Sequence, residues 1–391
     1  MKKVKLGILG VGPRGQCLLE TYALTPTVEV TAICDRADGL AAQVAKKYEA
    51  DSGVRGVKIY TDYDVMMREK NFDALIITLD PDHQIPVACD AMERGVHVMT
   101  EVPCCTSIED CWKLENTVEK TGMKYQLSEQ VRYWYFISEW RKMAQQNQFG
   151  KLLMVEGQYL HYEPTWDFFV DKRTGEHIQV CDNKLDADEN YVRSWRYRLM
   201  SHPIFYLPHT LSPLLSITGG RIEKVACFGT RKESYFMDGI QCRDVESAIM
   251  YNSNDVIFNV RAGFTSPHSR QAETGAHWYH VKGTQGSVEW SRAEDDKAKL
   301  WMNGKGWEDR PDWTCADANA EEWIKNSPHG GTDGYPIKYF ADAILNDTEP
   351  PMNVYRAVET AAPAIMAAKS SELGGVLLDV PDFRKKKCPT F

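Results

Sequence analysis

"KLGILGVGPRG", residues 5–15, carries the reading of this chain's architecture. Val4 to Leu9 is an apolar run of strand length. Gly10, Gly12 and Gly15 follow at G-x-G-x-x-G spacing, ahead of a helical pattern of Cys17, Leu18, Leu19 and Tyr22. Strand, tight turn and helix in that order form a phosphate cradle: Gly10 permits the turn, Gly12 lets backbone approach a pyrophosphate, and Gly15 lets helix and strand pack closely. The helix N-terminus turns its free N–H groups toward the anion. Pro13 suits the first helical turn, where its missing N–H costs little, and Arg14 stands beside it. The fingerprint is completed by an acid at the end of the next strand, about 20 residues on. "VEVTAICD" (28–35) ends in Asp35, which can accept both ribose hydroxyls of NAD and would repel the 2′-phosphate of NADP; Arg36 beside it keeps NADP as the lesser alternative.

Working outward, "FDALIITL" (72–79), a helix over 84–95, "HVMTEV" (97–102), a helix over 107–121 and "MKYQLS" (123–128) continue the strand-helix alternation. The pattern predicts a doubly wound parallel sheet with its ligands at the carboxyl ends of the strands, in the loops 10–15, 35–36, 79–83 and 101–103. Leu79, His83 and Glu101 therefore fall on the cofactor side; His83 and Glu101 could equally cap helices. From "FGKLLMVEGQYLHY" (149–162) the pattern shifts to long alternating strands, with hairpins in "AIMYNSNDVIFNV" (248–260) and "HWYHVKGTQGSVEW" (277–290). Helical stretches at 335–346 and 353–371 close the chain. The expected fold is α/β: an N-terminal Rossmann domain over 1–128, then an α+β domain over 129–391 with a large, open, mostly antiparallel sheet. Such a sheet can turn one face to a second copy of the chain, so a homo-oligomer is expected.

The chain has 391 residues, 43% of them hydrophobic and 26% charged, enough for two domains with separate cores. Fifty-five acids against 46 bases leave a net charge of −9, which disfavours nucleic acid or an anionic membrane as partner and favours a small molecule. No apolar run approaches the ~18 residues of a transmembrane span. The basic start at Lys2-Lys3 meets a glycine-rich turn rather than a cleavage site, so a cytoplasmic location is expected. The 11 cysteines are scattered and read as reduced thiols. No metal site is expected: His277 and His280 lie three apart in a strand and point to opposite faces, and His161, Cys181, His209 and His329 could converge only through tertiary structure. "HGGTD" (329–333) reads as a glycine-rich turn, with Asp333 capping the helix that starts near Tyr335.

A dinucleotide fold with an acid-Xaa-Pro segment after its fifth strand, followed by an open-sheet domain carrying a helical histidine, resembles the Gfo/Idh/MocA oxidoreductases. That segment is usually Glu-Lys-Pro, and its lysine assists proton transfer; here it is Glu101-Val102-Pro103. The broader family's aspartate four residues before the histidine is Phe205. Glu-Val-Pro is similar to the segment of glycoside hydrolase family 109, the NAD-dependent alpha-N-acetylgalactosaminidases. "EGQYLHY" (156–162), "SWRYR" (194–198), "YLPHTLSP" (206–213), "VKGTQG" (281–286), "HGGTD" and "VPDF" (380–383) match that group in kind, with Thr210 and Ser212 in place of two glycines. The resemblance implies that Tyr159, Arg196, Tyr206 and His209 line a sugar pocket.

No carboxylate pair stands out for direct hydrolysis of a glycosidic bond. The cofactor offers another route: hydride leaves C3 of the sugar, the ketone acidifies the C2 hydrogen, a base removes it, the C1 substituent departs, water adds and the hydride returns. Histidine suits the base, and His209 is the candidate. Tyr206, three residues earlier, would share its helical face and donate to a sugar oxygen or relay a proton, unless it only packs. Arg196 and Tyr159 would hold the sugar, against surface ion pairing or an interface for each; Glu101 would orient cofactor or sugar. Two other readings stay open: a glycoside 3-dehydrogenase that releases a 3-keto sugar, and a non-catalytic NAD-binding sensor.

Overall fold

The structure is a computed structural model describing residues 2–163, 168–179, 188–199, 201–237, 240–266, 274–293 and 295–385; Cys181 lies outside them. Its first part is a six-stranded sheet of β1 (Val4–Leu9), β2 (Val28–Cys34), β3 (Lys58–Tyr60), β4 (Ala74–Ile77), β5 (His97–Thr100) and β6 (Tyr125–Leu127). The order is β3-β2-β1-β4-β5-β6 and every pairing is parallel. The order reverses between β1 and β4, which opens a crevice at their carboxyl ends. Helices α1 (Pro13–Leu24), α2 (Asp38–Ser52), α3 (Tyr63–Glu69), α4 (Pro81–Glu93) and α5 (Ile108–Thr121) connect the strands. Side chains alternate along each strand into two cores, Ile8 and Ile76 on one face, Leu9 and Ile77 on the other. The helix expected over 84–95 starts earlier, at Pro81, because proline is tolerated at the first helical position; Pro86 also lies within its early turns.

The chain continues through α6 (Tyr135–Gln145) and β7 (Leu152–Leu160) into a small three-stranded sheet of β8 (Phe168–Asp171), β9 (His177–Gln179) and β10 (Tyr191–Arg193). After α7 (Trp195–Leu199) and α8 (Pro208–Thr218) come β11 (Ile222–Gly229), β12 (Val245–Asn252), β13 (Val256–Gly263), β14 (His277–Gly283), β15 (Gly286–Glu289), β16 (Lys299–Met302) and β17 (Gly306–Asp309). Short helices α9 (Glu322–Lys325) and α10 (Pro328–Gly331), long helices α11 (Gly334–Asn346) and α12 (Val354–Glu372), and β18 (Leu378–Asp379) finish the fold. A nine-stranded sheet runs β17-β16-β15-β14-β7-β13-β12-β11-β18. Of its pairings among the described residues, only β7 with β13 is parallel.

Two contacts position the site. Gly157 in β7 lets α8 approach the sheet: a Cβ there would stand 2.3 Å from Thr210 Cγ2 and 3.1 Å from Leu214 Cδ1. Helix α11 returns to the first domain, burying Ile337 and Phe340 with Leu6, Ile8 and Leu18. The opposite face of the large sheet exposes Phe228, Ile249, Tyr251 and Ile257, with Tyr251 directly opposite Ile257. Among the described residues, no helix is long and apolar enough to cross a membrane.

Candidate active site

The glycine turn has the shape its spacing implies. Gly10 is left-handed (φ +88°), and a Cβ on it would lie 2.9 Å from the Thr78 carbonyl oxygen. One on Gly15 would lie 2.4 Å from the Gly10 carbonyl oxygen, whereas one on Gly12 would meet nothing within 4 Å. Gly10 and Gly15 are thus held by close packing, and Gly12 borders open space before the N-terminus of α1. Pro13 is the first residue of that helix. Asp35 closes the turn from the end of β2: its Oδ2 accepts from Val11 N (2.8 Å) and its Oδ1 from Ala37 N (2.9 Å), and each oxygen keeps room for a further donor. Arg36 is exposed, and Leu79 is half-buried beyond β4. His83 does not cap α4; it lies within the first turn, largely exposed, 3.4 Å from Asp82.

Arg14 turns its side chain away from the turn. Its Nε donates to Glu101 Oε1 (3.0 Å), and its Nη1 and Nη2 donate to the two oxygens of Asp333 (2.8 and 3.3 Å). Burial works against the charge, but Glu101 and Asp333 outweigh it and hold the guanidinium pKa well above its ordinary value. Glu101 does not cap the next helix, a task Ser107 performs. Its backbone N–H donates to the buried Gln84 side chain (2.9 Å), whose amide donates to the Pro103 carbonyl (3.1 Å), so α4 fixes the Glu-Val-Pro segment.

Asp333 corrects the sequence expectation as well. Its side chain makes no capping bond to α11. It is fully buried and pairs with Arg14 and, at 3.1 Å, with His329 Nδ1. Burial alone would raise its pKa, yet Arg14 and His329 hold it well below the carboxylate range. A capping carboxylate must reach the helix N–H groups, and this one is drawn the other way by a cation from the first domain. His329, Gly330 and Gly331 all take left-handed backbone (φ +54°, +66° and +82°), and Trp134 Nε1 donates to the His329 carbonyl (3.2 Å). For His329 this is a conformation that a side chain rarely adopts.

The second domain gathers an aromatic cluster. The rings of Tyr159 and Tyr206 lie parallel with centroids 5.7 Å apart, and His209 stacks within 5.3 Å of the first and 6.0 Å of the second. Tyr206 does not share a helix with His209: it ends a 3-10 turn (Pro203–Tyr206), and the Leu207-Pro208 step starts α8 afresh, yet the two rings still meet. Tyr159 faces this cluster from the buried side of β7. His161 and His277 adjoin it, with centroids 4.1 and 4.7 Å from that of Tyr159. Burial pushes Tyr206 up to about 12 against the pull of Arg196, with Glu101 adding to the rise. Burial likewise raises Tyr159, brings His161 down to about 4 and holds His277 well below its ordinary value. Arg196 Nη1 lies 3.6 Å from Glu163. The histidines do not form a metal-ligand set; among the described residues only Asp80, Asp82 and His83 bring three such atoms together.

Glu129 escapes the sequence reading. Fully buried just past β6, it brings Oε2 to 2.9 Å from His209 Nδ1. The contact has ion-pair distance but lacks hydrogen-bond alignment, and both atoms are otherwise unpartnered. A signal existed: Glu129 follows the sixth parallel strand, at a carboxyl end like the other cofactor-side loops. The role of Asp333 carried no local signal, since its partner Arg14 comes from the other end of the chain.

Residues 4–129 match the oxidoreductase family with NAD-binding Rossmann fold (Gfo/Idh/MocA), and residues 139–389 match the glycosyl hydrolase 109 C-terminal domain. The chain belongs to glycosyl hydrolase family 109. A glycosyl hydrolase family 109 protein of Phocaeicola vulgatus is 32% identical over 218 residues, which span 55% of this chain and 38% of that protein. An alpha-N-acetylgalactosaminidase of Bacteroides fragilis is 34% identical over 175 residues, 44% of this chain and 41% of that protein. A levoglucosan dehydrogenase solved with NADH and L-sorbose shares the fold at a TM-score of 0.75 and 15% identity, covering 97% of this chain and 100% of its own. The first domain of this family 109 member is thus an NAD-binding Rossmann domain. NAD also suits the residues present: the open Gly12 face, the α1 N-terminus, the Asp35 carboxylate and the unpartnered buried Ser128 Oγ and Gln130 Oε1 beyond β6 all offer it partners.

Proposed function

We propose that this chain is an NAD-dependent glycosidase that opens a glycosidic bond by oxidation, elimination, addition of water and reduction, with residues 1–128 holding the cofactor and 129–391 the sugar. The observation that carries the reading is the His209 imidazole, backed by a buried carboxylate and packed against the rings of both Tyr159 and Tyr206. NAD, when bound, accepts hydride from C3 of the sugar and returns it. Gly10, Gly12, Pro13, Gly15, Asp35, Arg36, Leu79, His83 and Glu101 border its place; Arg14 acts through Glu101.

His209 takes the C2 proton. With Nδ1 turned to Glu129 at 2.9 Å, Nε2 is left for the substrate. Tyr206 stays protonated at neutral pH because burial raises its pKa, so it donates a hydrogen bond or a proton to a sugar oxygen. When the C1–O bond breaks, the leaving oxygen gains a proton; water then supplies hydroxyl to C1 and a proton to C2, and the sum is hydrolysis. Tyr159 gives the sugar ring an aromatic wall, and Arg196 and Glu101 bind its hydroxyls. Val102 needs no proton-transfer role in this scheme: Tyr206 relays the C3 hydroxyl proton to solvent as the hydride leaves and back as it returns, while His209 carries the C2 proton to the leaving oxygen. The named relative makes an alpha-N-acetylgalactosaminide the first substrate to try. The exposed apolar sheet face supports a homo-oligomer, and the free cysteines support a reducing, cytoplasmic setting.

The test is incubation with aryl glycosides and no added NAD. Release of the aryl group without accumulation of NADH supports the cycle. Stoichiometric NADH with a 3-keto product would make the chain a dehydrogenase, and unchanged function in a His209→Ala variant would make it a sensor.

A further inference from the structure

Behind the catalytic helix lies a second, polar cavity of about 150 Å³ that the scheme above does not use. Arg132, from the 3-10 turn after Glu129, borders it, with Ser212 and Ser216 of α8 and Arg356, Glu359 and Thr360 of α12. Arg132 is a cation that no carboxylate meets directly. Among the described residues no carboxylate lies within ion-pair distance of it, and its Nε is buried without a hydrogen-bond partner. Its Nη1 reaches only Ser212 Oγ at 3.5 Å and the sulfur of Met352. The other basic group, Arg356, pairs with Glu359 (2.9 Å), which Arg384 also engages (2.8 Å).

The charges facing the cavity are therefore two guanidinium groups and one carboxylate, and that carboxylate is already shared with a third arginine outside. The uncompensated charge is that of the half-buried Arg132, since Arg356 is 43% exposed and ion-paired, in a chain of net charge −9. A charge held out of water without a partner is destabilising, and a bound counter-ion removes that cost. Burial also draws the Arg132 pKa down, against the opposing pull of Tyr133 and Glu129. A guanidinium fork beside hydroxyls in a small cavity matches an oxyanion with two or more acceptor oxygens.

We propose that this cavity binds a small tetrahedral oxyanion of the phosphate or sulfate class, held by Arg132 with help from Arg356 and the hydroxyl of Ser212. The site is separate from the cofactor turn and does not depend on the glycosidase reading. Its position backs onto both halves of the Glu129–His209 contact, since Arg132 lies three residues past Glu129 and Ser212 three past His209.

The test titrates inorganic phosphate, then sulfate, into NAD-saturated protein by calorimetry and thermal melting, with acetate and chloride at matched ionic strength as controls. Saturating NAD keeps the phosphate cradle of the first domain filled. One phosphate or sulfate per chain is expected, with a rise in Tm that the controls do not give. Arg132→Met should weaken this at least about tenfold, the worth of one charge-assisted hydrogen bond. In phosphate-free buffer the same variant should melt no lower than the parent, because it removes an uncompensated charge. Ser216→Asp, at the half-exposed lip, is a second variant that should abolish the response by repulsion. The proposal is overturned if phosphate and sulfate act no differently from chloride, if both variants keep the parent's response, or if Arg132→Met is destabilising without phosphate and the parent gains nothing from it.

Discussion

Replacing Asp333 by asparagine tests whether the two ends of the chain are clasped by charge. The carboxylate is fully buried and takes two bonds from Arg14, at 2.8 and 3.3 Å, and one contact from His329 at 3.1 Å. Asparagine keeps the shape and removes the charge. Breaking a buried pair from one side costs about 3–5 kcal/mol; because Arg14 is 27% exposed and keeps Glu101 at 3.0 Å, the loss should lie at the lower end, about 3 kcal/mol. The sign with pH follows from the depressed pKa of Asp333. Its stabilisation is complete above the unfolded value near ~3.9 and is lost as pH falls through the lower folded value. Urea denaturation of parent and Asp333→Asn should therefore differ by an amount that does not narrow from pH 7 to pH 5 and shrinks only below about pH 4. A double-mutant cycle with Arg14→Met should give a coupling of about 1 kcal/mol or more. Strictly additive single losses, a gap below about 0.5 kcal/mol, or a gap that closes between pH 7 and pH 5 would refute the clasp.

Two glycines of the turn should separate binding from folding. Gly12→Ala, whose Cβ meets nothing, should leave urea stability within about 0.5 kcal/mol and weaken NAD binding, whereas Gly15→Ala, 2.4 Å from a carbonyl oxygen, should cost about 1–3 kcal/mol by the same assay. Gly157→Ala should push α8 off β7 and lower both stability and turnover; adding Thr210→Gly, which removes the methyl 2.3 Å away, should restore much of the loss. Glu129→Gln, which keeps the shape beside His209, should lower kcat about a hundredfold or more with little change in KM or in NAD affinity.

The parallel domain was legible because its signals are local. A strand, a glycine turn and an acid at the next strand's end each constrain the backbone where they stand, and the observed strand order follows. The hairpins of the large sheet were equally readable, but its order was not: β7 pairs with β13 and β14, partners about a hundred residues away. The site divides along the same line. Tyr159, Tyr206 and His209 were nameable from their segments, although the Leu207-Pro208 break replaces the single helix face that i, i+3 spacing suggested. Glu129 required knowing that β6 ends beside α8. Asp333 was misread because its neighbours offer a plausible helix cap, and only the folded chain brings Arg14 to it.

The central claim, that His209 moves a proton at C2 of the sugar, is tested most directly by running the hydrolysis in D₂O and examining the released sugar by NMR and mass spectrometry. The account predicts one deuterium at C2 in the product of the NAD-bound enzyme, and its loss together with turnover in His209→Asn. Aglycone release with hydrogen fully retained at C2 would mean direct displacement at C1 and would contradict it.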